Sequence, residues 1–289
     1  MSASGPATDG ILAPAKINLN LKIVGRREDG YHLLDSMVVF TAFGDRILVQ
    51  PSPQDSITID GPFGDMLNEP PSENICAKAL TMFRLAGGRI GPLAIHIRKD
   101  IPVGAGLGGG SSNAAALLGW LQENADGAVP DVSLSEIALS LGADVPACLA
   151  GRALQMTGIG ETITLMSIAP HGRILLASPR VFMPTKTIFT ALAQSDFAIG
   201  EGANAVSQSS AGSVAELVAR GNDLQPVAIE QAPIIGDLVQ QIETQTGCVA
   251  AQMTGSGSAC FGIFETAEQS DAAAALLVGQ GFWTVSTRF

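Results

Sequence analysis

The sequence predicts an α+β protein of two domains, on three observations. Its 289 residues are close to twice the ~150 residues of an average domain. Apolar residues make up 46% of the chain and aromatics only 5%, so each domain can bury an aliphatic core of Ala, Val, Ile and Leu. The C-terminal part reads strand, turn, strand, helix, strand, the order of a small sheet with helices on one face. The expected division is a loose tail over residues 1–10, a first domain over 11–160 and a second over 161–289.

The elements follow in order. Residues 15–24 alternate Ile17, Leu19, Leu21 and Ile23 with Lys16, Asn18, Asn20 and Lys22, which predicts a half-buried strand with Lys16 and Asn18 together on its polar face. GRREDGYH is a turn, and 37–40, 46–50 and 56–60 read as further strands. A helix over 73–86 follows Pro-Pro-Ser, with Ser72 placed to cap it. A strand over 93–98 leads into a glycine-rich loop and a helix over 111–124. The next helix, 134–141, has Ser133 as cap and stops at Gly142. GADVPACL is a turn with an apolar segment behind it, and 153–156 and 162–166 form a hairpin around TGIGE. Beyond it come a strand (173–177), the loop SPRVFMPTKT, a helix (188–194) and a polar stretch (200–212) expected to be mobile. Helices over 213–220 and 233–246, a strand (249–252), the turn TGSGS, a strand (259–264), a helix (267–278) and a last strand (282–286) complete the chain. No internal repeat interrupts this order.

Composition narrows the function. A net charge of −11 argues against a broad nucleic-acid or anionic-membrane surface, since either needs a basic face to displace counterions. Lys16, Lys22, Arg26 and Arg27, and the pair Arg98–Lys99, leave room for small anionic ligands, or are ordinary solvated charge. No apolar run approaches the roughly 18 residues of a membrane helix, and MSASGPATDG has neither the basic region nor the apolar core of a signal peptide. Cys76, Cys148, Cys248 and Cys260 lack C-x-x-C spacing and His32, His96 and His171 are scattered, so the thiols read as reduced core residues of a cytoplasmic protein and not as zinc ligands.

The chemistry concentrates in IPVGAGLGGGSSNAAALL, residues 101–118. Gly104, Gly106, Gly108, Gly109 and Gly110 clear side chains from the backbone and open conformations closed to other residues. Ser111 and Ser112 stand where a helix begins, so N–H groups, hydroxyls and the positive end of the helix dipole converge on one spot suited to a phosphate. Residues 104–109 also satisfy G-x-G-x-x-G, the dinucleotide fingerprint, but the loop comes a third of the way along the chain and not after a domain's first strand, and Asp126 and Asp131 lie in a Gly/Pro-containing connection. A P-loop lysine is absent. A plain structural turn is the third reading, against the backbone entropy of five glycines in seven positions.

These motifs resemble the small-molecule kinase superfamily of galactokinase, homoserine kinase, mevalonate kinase and phosphomevalonate kinase. PVGAGLGGGSSNAA is similar to its nucleotide phosphate loop and MTGSGSACFG to its C-terminal glycine loop. APAKINLNL, GRREDGYH and LGADVPACL are similar to the branch whose acceptor is a cytidine diphosphate ester of methylerythritol, and the resemblance runs intermittently from residue 13 to 264. It implies ATP-dependent phosphorylation of a tertiary hydroxyl on that ester, in non-mevalonate isoprenoid synthesis. The fold it implies is an N-terminal domain like domain 2 of ribosomal protein S5 and a ferredoxin-like C-terminal domain, with the active site in a cleft between them.

Roles follow residue by residue from the same resemblance. Asp144 is the base that takes the hydroxyl proton, although an Asp before Val-Pro also suits a turn or cap. Lys16 holds Asp144 ionised and offsets charge on the transferred phosphoryl group. Pro102, Gly104, Gly106, Leu107, Gly108, Gly109, Gly110, Ser111, Ser112 and Asn113 cradle ATP, with Lys99 lining the same site and the Glu73–Asn74 pair near the nucleoside. Ser111 or Ser112 reaches the accompanying magnesium, or simply caps the helix. Tyr31 and Phe189 sandwich the cytosine while His32 bonds its edge; on residue type alone, Tyr31 packing on its own domain is equally open. Asn18 and Thr185 line the acceptor site, and Gly255, Ser256 and Gly257 close on its diphosphate, with an ordinary hairpin as the alternative. The partners implied are ATP with Mg2+ and the acceptor, with no nucleic acid or membrane, in a monomer or homodimer. A homoserine- or mevalonate-type kinase, a dinucleotide-binding oxidoreductase and a silent sensor of the same fold are the competing functions.

Overall fold

A computed structural model describes residues 10–67, 70–195 and 213–289. The expected tail below Gly10 and the stretch 200–212 lie outside the described residues. The chain divides into two compact units. One takes the residues up to Ala15 with Gly44–Val103 and Gly108–Gly151; the other takes Lys16–Phe43, Gly104–Leu107 and Arg152–Phe289.

In the first unit, β1 (Ile11–Asn18) enters the fold and β3 (His32–Pro51) ends. Residues 46–51 of β3 pair antiparallel with β5 (Leu93–Arg98), which pairs in parallel with β4 (Ser56–Asp60). Ile47, Val49, Leu93, Ile95 and Ile97 are buried, as period two demands of one covered face. The sequence suggests separate strands over 37–40 and 46–50, but β3 runs on through Gly44. A Cβ there would stand 2.1 Å from the Ala13 carbonyl oxygen, so this glycine permits a close backbone approach instead of ending the strand.

Four helices pack on one another in this unit: α1 (Ile75–Leu85), α2 (Gly109–Asn124), α3 (Asp131–Leu141) and α4 (Val145–Ala150). Ala114, Ala115, Leu117, Leu118 and Leu121 of α2 are buried; the small alanines let neighbouring helices approach closely. Asn74, not Ser72, caps α1, and α3 starts two residues before Ser133.

The second unit holds the first half of β3, flanked by β2 (Lys22–Arg26) and β6 (Leu154–Gly158), with β7 (Thr162–Leu165) outside β6. The hairpin around TGIGE is therefore present. The single strand expected over 15–24 is interrupted between Asn18 and Lys22, and its polar face is not half-solvated: Lys16, Asn18 and Asn20 are all buried.

A four-stranded antiparallel sheet follows, ordered β11 (Trp283–Arg288), β8 (Arg173–Ser178), β10 (Cys260–Phe264), β9 (Cys248–Met253). Against it pack α8 (Ile234–Glu243) and α9 (Ala267–Gly279), the latter started by a Thr266–Gln269 capping box. The remaining helices are α5 (Thr185–Gln194), α6 (Val214–Ala219) and α7 (Gln225–Gln231). The sequence gives no separate sign of α7, because Pro226 reads as a breaker although it occupies the first turn, where proline is tolerated. Among the described residues no helix is long and apolar enough to cross a membrane.

Candidate active site

The glycine run becomes a helix earlier than the serines suggest. Gly108 is the N-cap, at φ +67°, and Gly109 and Gly110 already belong to α2. Ser111 and Ser112 thus lie inside the first turn, and no side chain caps it. Three buried side-chain N or O atoms among the described residues have no hydrogen-bond partner, and one is Ser112 Oγ. A Cβ at Gly110 would meet nothing within 4 Å. Glycine in a helix costs about 1 kcal/mol against alanine, and here no described protein atom within 4 Å of a Cβ requires it.

Under this turn lies a group the sequence did not reveal. Asp45 is fully buried, and its Oδ1 accepts from the backbone N–H groups of Asp100 and Ile101, each at 2.8 Å. Its Oδ2 accepts from Asn113 Nδ2 at 3.0 Å and from the Lys99 ammonium. Lys99 also donates to Asn113 Oδ1 at 2.8 Å. Lys99 and Asn113, expected on the nucleotide, spend these side-chain atoms beneath the loop. A Cβ on Gly109 would come within 3.3 Å of Lys99 Nζ, so the ion pair supports the helix start directly. The ion pair and Asn113 together pin both the entry to the loop, at residues 100–101, and the first turn of α2.

In the second unit the early glycines meet the C-terminal loop. A Cβ on Gly106 (φ +79°) would stand 2.8 Å from the Thr254 oxygen and 2.9 Å from that of Gly257. Ala259 N–H donates to Ala105 O at 3.0 Å. Asn18 joins the same junction: its N–H donates to Thr254 Oγ1 at 2.9 Å and its Nδ2 to Ser36 Oγ at 2.7 Å. Its Oδ1 is the second buried atom with no partner among the described residues, and it lies 3.4 Å from where a Gly255 Cβ would be. Lys16 is buried on the same strand, its N–H bonded to Leu107 O at 2.9 Å. Phe182, unremarked in the sequence, lays its ring on Gly104, 2.3 Å from a Cβ there.

Two further pairs come together in this unit. Thr185 Oγ1 and Ser256 Oγ are hydrogen-bonded at 2.9 Å. The rings of His32 and Phe189 stack tilted, with centroids 5.4 Å apart and planes at 32°. Burial, aided by the nearby Arg26 charge, holds the His32 pKa below its ordinary value, which favours the neutral ring. Tyr31 makes no ring contact among the described residues and is 61% exposed, so it is His32 that lies beside Phe189.

Asp144 stands at the start of α4, half-buried, and its carboxylate makes no bond to the helix's first amides. Capping therefore does not account for it. Asn74 does cap, accepting from Cys76 N–H at 2.9 Å; Pro102 and Leu107 are buried, with Pro102 next to the pinned Ile101. The four cysteines form no disulfide, and burial pushes the Cys76 thiol up to about 12 and that of Cys260 up as well, which leaves neither poised as a nucleophile.

Comparison with known proteins adds to this geometry. The GHMP kinases N terminal domain family matches residues 74–152 and the GHMP kinases C terminal family residues 203–278. The chain is similar to 4-diphosphocytidyl-2-C-methyl-D-erythritol kinase of Paramagnetospirillum magneticum, 40% identical over 92% of this chain and 93% of the relative. The enzyme of the same name from Cereibacter sphaeroides is 41% identical over 96% and 97%. A crystal structure of 4-(cytidine 5'-diphospho)-2C-methyl-D-erythritol kinase, 31% identical, covers 96% of this chain and 98% of its own with a TM-score of 0.77. Homoserine kinase from Cytophaga hutchinsonii, 18% identical with a TM-score of 0.69, shares the fold.

Proposed function

The chain belongs to the family of 4-diphosphocytidyl-2-C-methyl-D-erythritol kinases, and we propose that it transfers the terminal phosphoryl group of ATP to the 2-hydroxyl of that diphosphocytidyl ester. It is an ATP-dependent small-molecule kinase with the two GHMP domains, acting in isoprenoid precursor synthesis. The observation that carries the site reading is that Ser112 Oγ and Asn18 Oδ1 are two of the three buried side-chain polar atoms without a partner among the described residues, the third being Gln241 Oε1. A buried hydroxyl and a buried amide oxygen left unpaired each cost about 1–3 kcal/mol, and a ligand supplies what each lacks.

In this reading the amides and hydroxyls at the start of α2 take the ATP phosphates, with Gly110 giving clearance. Ser112, with Ser111 beside it, would hold a magnesium ion arriving with the nucleotide; the orphaned Ser112 hydroxyl fits that role. Such an ion would offset the charge of the phosphates. Asn18 Oδ1 accepts from an acceptor hydroxyl, and Ser256 with the 255–257 backbone takes the diphosphate. His32 and Phe189 receive the cytosine, the neutral imidazole bonding its edge and exposed Tyr31 covering its face. Asp144 accepts the proton as the acceptor oxygen bonds to phosphorus and the bond to ADP breaks, while Lys16 offsets the charge on the group in flight.

The finer architecture is part of the proposal. Residues 11–160 form an S5-domain-2-like domain for nucleotide and catalysis, and 161–289 a ferredoxin-like domain for the substrate, with 16–43 lending Asn18, Tyr31 and His32. Lys99 and Asn74 act from beneath the nucleotide site, as loop support and helix cap. The enzyme works in the cytoplasm as a monomer or homodimer, a setting in which its thiols stay free.

The test is ADP release from ATP with the cytidine diphosphate ester, mevalonate and homoserine in parallel. Turnover with the ester alone is expected; turnover only with the other two overturns the acceptor assignment. Asp144→Asn should lose about 10²- to 10⁴-fold in turnover while still binding ATP, and unchanged turnover removes Asp144 as the base.

A further inference from the structure

Residues 221–225 have no part in the reading above, yet the stretches that carry Asn18 and Gly255 are both tied to them. Leu21 N–H donates to Gly221 O at 3.0 Å and Asp223 N–H to Leu21 O at 2.9 Å. The Asp223 carboxylate accepts from Ile23 N–H at 2.8 Å and pairs with the Lys22 ammonium. Gln225 Oε1 accepts from Met253 N–H at 2.8 Å. Between these lies Asn222, 6% exposed, whose Nδ2 donates to Met253 O at 2.9 Å and Gly255 O at 2.8 Å, while Oδ1 accepts from Leu224 N–H at 2.9 Å. Two carbonyls on one side and an N–H on the other leave only one orientation of the amide that satisfies all three partners.

The bond to Gly255 has a consequence for the loop. In a trans peptide the carbonyl and the next N–H point in opposite directions. With Gly255 O tied to Asn222, the N–H of Ser256 points away from Asn222. Gly255, at φ +55°, is the kind of residue about which a peptide plane rotates at little steric cost. Without a donor under its carbonyl, the plane can turn and present an oxygen where an anion needs an N–H.

We propose that Asn222 is a positioning residue for the acceptor: it locks the Gly255–Ser256 peptide in the orientation that donates to the acceptor's diphosphate. The proposal rests on the assignment of that loop to the diphosphate. Loss of one charge-assisted hydrogen bond of this kind weakens binding on the order of ten- to hundredfold.

The experiment compares wild type with Asn222→Asp, which is isosteric but sets a carboxylate oxygen against a carbonyl, and with Asn222→Ser, which keeps one donor. KM for the acceptor, KM for ATP, kcat and the thermal midpoint are measured for each, with calorimetric titration of cytidine diphosphate into the free enzyme. The expected pattern is an acceptor KM and a cytidine diphosphate Kd raised about ten- to hundredfold in Asn222→Asp, less in Asn222→Ser, with ATP KM unchanged. A lower midpoint or kcat with both KM values and the Kd as in wild type, in whichever variant folds, makes Asn222 merely structural and overturns the proposal. If wild type itself fails to bind cytidine diphosphate, the loop assignment falls first and takes the proposal with it.

Discussion

At the start of α2 the glycine run stands over a buried ion pair, whereas the turn between β9 and β10 is held through amides and hydroxyls. The first is pinned by Asp45, Lys99 and Asn113. The second is pinned by Asn222 and Gln225 amides and by the hydroxyls of Thr254, Ser256 and Ser258, the last donating to Val181 O at 2.5 Å. The difference is one of concentration. Breaking a buried ion pair leaves an uncompensated charge, about 3–5 kcal/mol in one substitution, while each neutral bond is worth about 1 kcal/mol and the loss is shared. The first loop is thus rigid through one indispensable contact set, and the second through many replaceable ones.

The sharpest way to break that contrast is Asp45→Asn. It strips the counter-charge from a lysine that is 3% exposed, and a fall of about 3–5 kcal/mol in unfolding free energy is expected, read by urea denaturation. The double variant Asp45→Asn with Lys99→Met should recover part of the loss, because no unpaired charge remains. A single-variant loss below ~1 kcal/mol, the worth of one neutral bond, would erase the distinction between the loops.

Glycine substitutions come next in size, and they separate packing from function. Gly106→Ala puts a methyl 2.8 Å from the Thr254 oxygen at φ +79°; strain of about 1–3 kcal/mol is expected, along with a raised acceptor KM as the C-terminal loop is displaced. Gly110→Ala meets open space in a helix, so stability should rise by up to about 1 kcal/mol while ATP binding weakens. A stabilised Gly110→Ala enzyme with unchanged ATP KM would show that no ligand uses that clearance.

The two loops also differ in how far they can be read from sequence. The first is legible because its signal is local: glycines, two serines and an alanine-rich helix lie within one 18-residue stretch. Its base is not, since Gly44-Asp45 looks like a turn and becomes strand only through the backbone approach to Ala13. In the same way the alternation from Lys16 to Ile23 gives a strand but not its burial, which depends on partners such as Thr254, 236 positions from Asn18. Asn222 carries no motif at all; its partners are 31 and 33 residues ahead. Local periodicity encodes elements, whereas pins between distant segments show only when the fold brings them together.

The smallest effect concerns pH. None of the pins of the second loop titrates, so acid sensitivity on the acceptor side should trace to His32, the ring paired with Phe189. Burial, then the Arg26 charge, lowers its pKa from 6.5. The folded state therefore takes up a proton less readily than the unfolded chain. His32 contributes stability that is fully present above the unfolded value of 6.5, and it is lost as pH falls through the lower folded value. Acceptor KM should be flat above neutrality and rise on the acid side as the ring charges against Arg26. His32→Gln should flatten both the KM profile and this share of the acid loss in stability. An NMR titration placing His32 above 6.5, or an acid rise in KM that survives His32→Gln, would move the sensitivity to another group and weaken the assignment of His32 to the base edge.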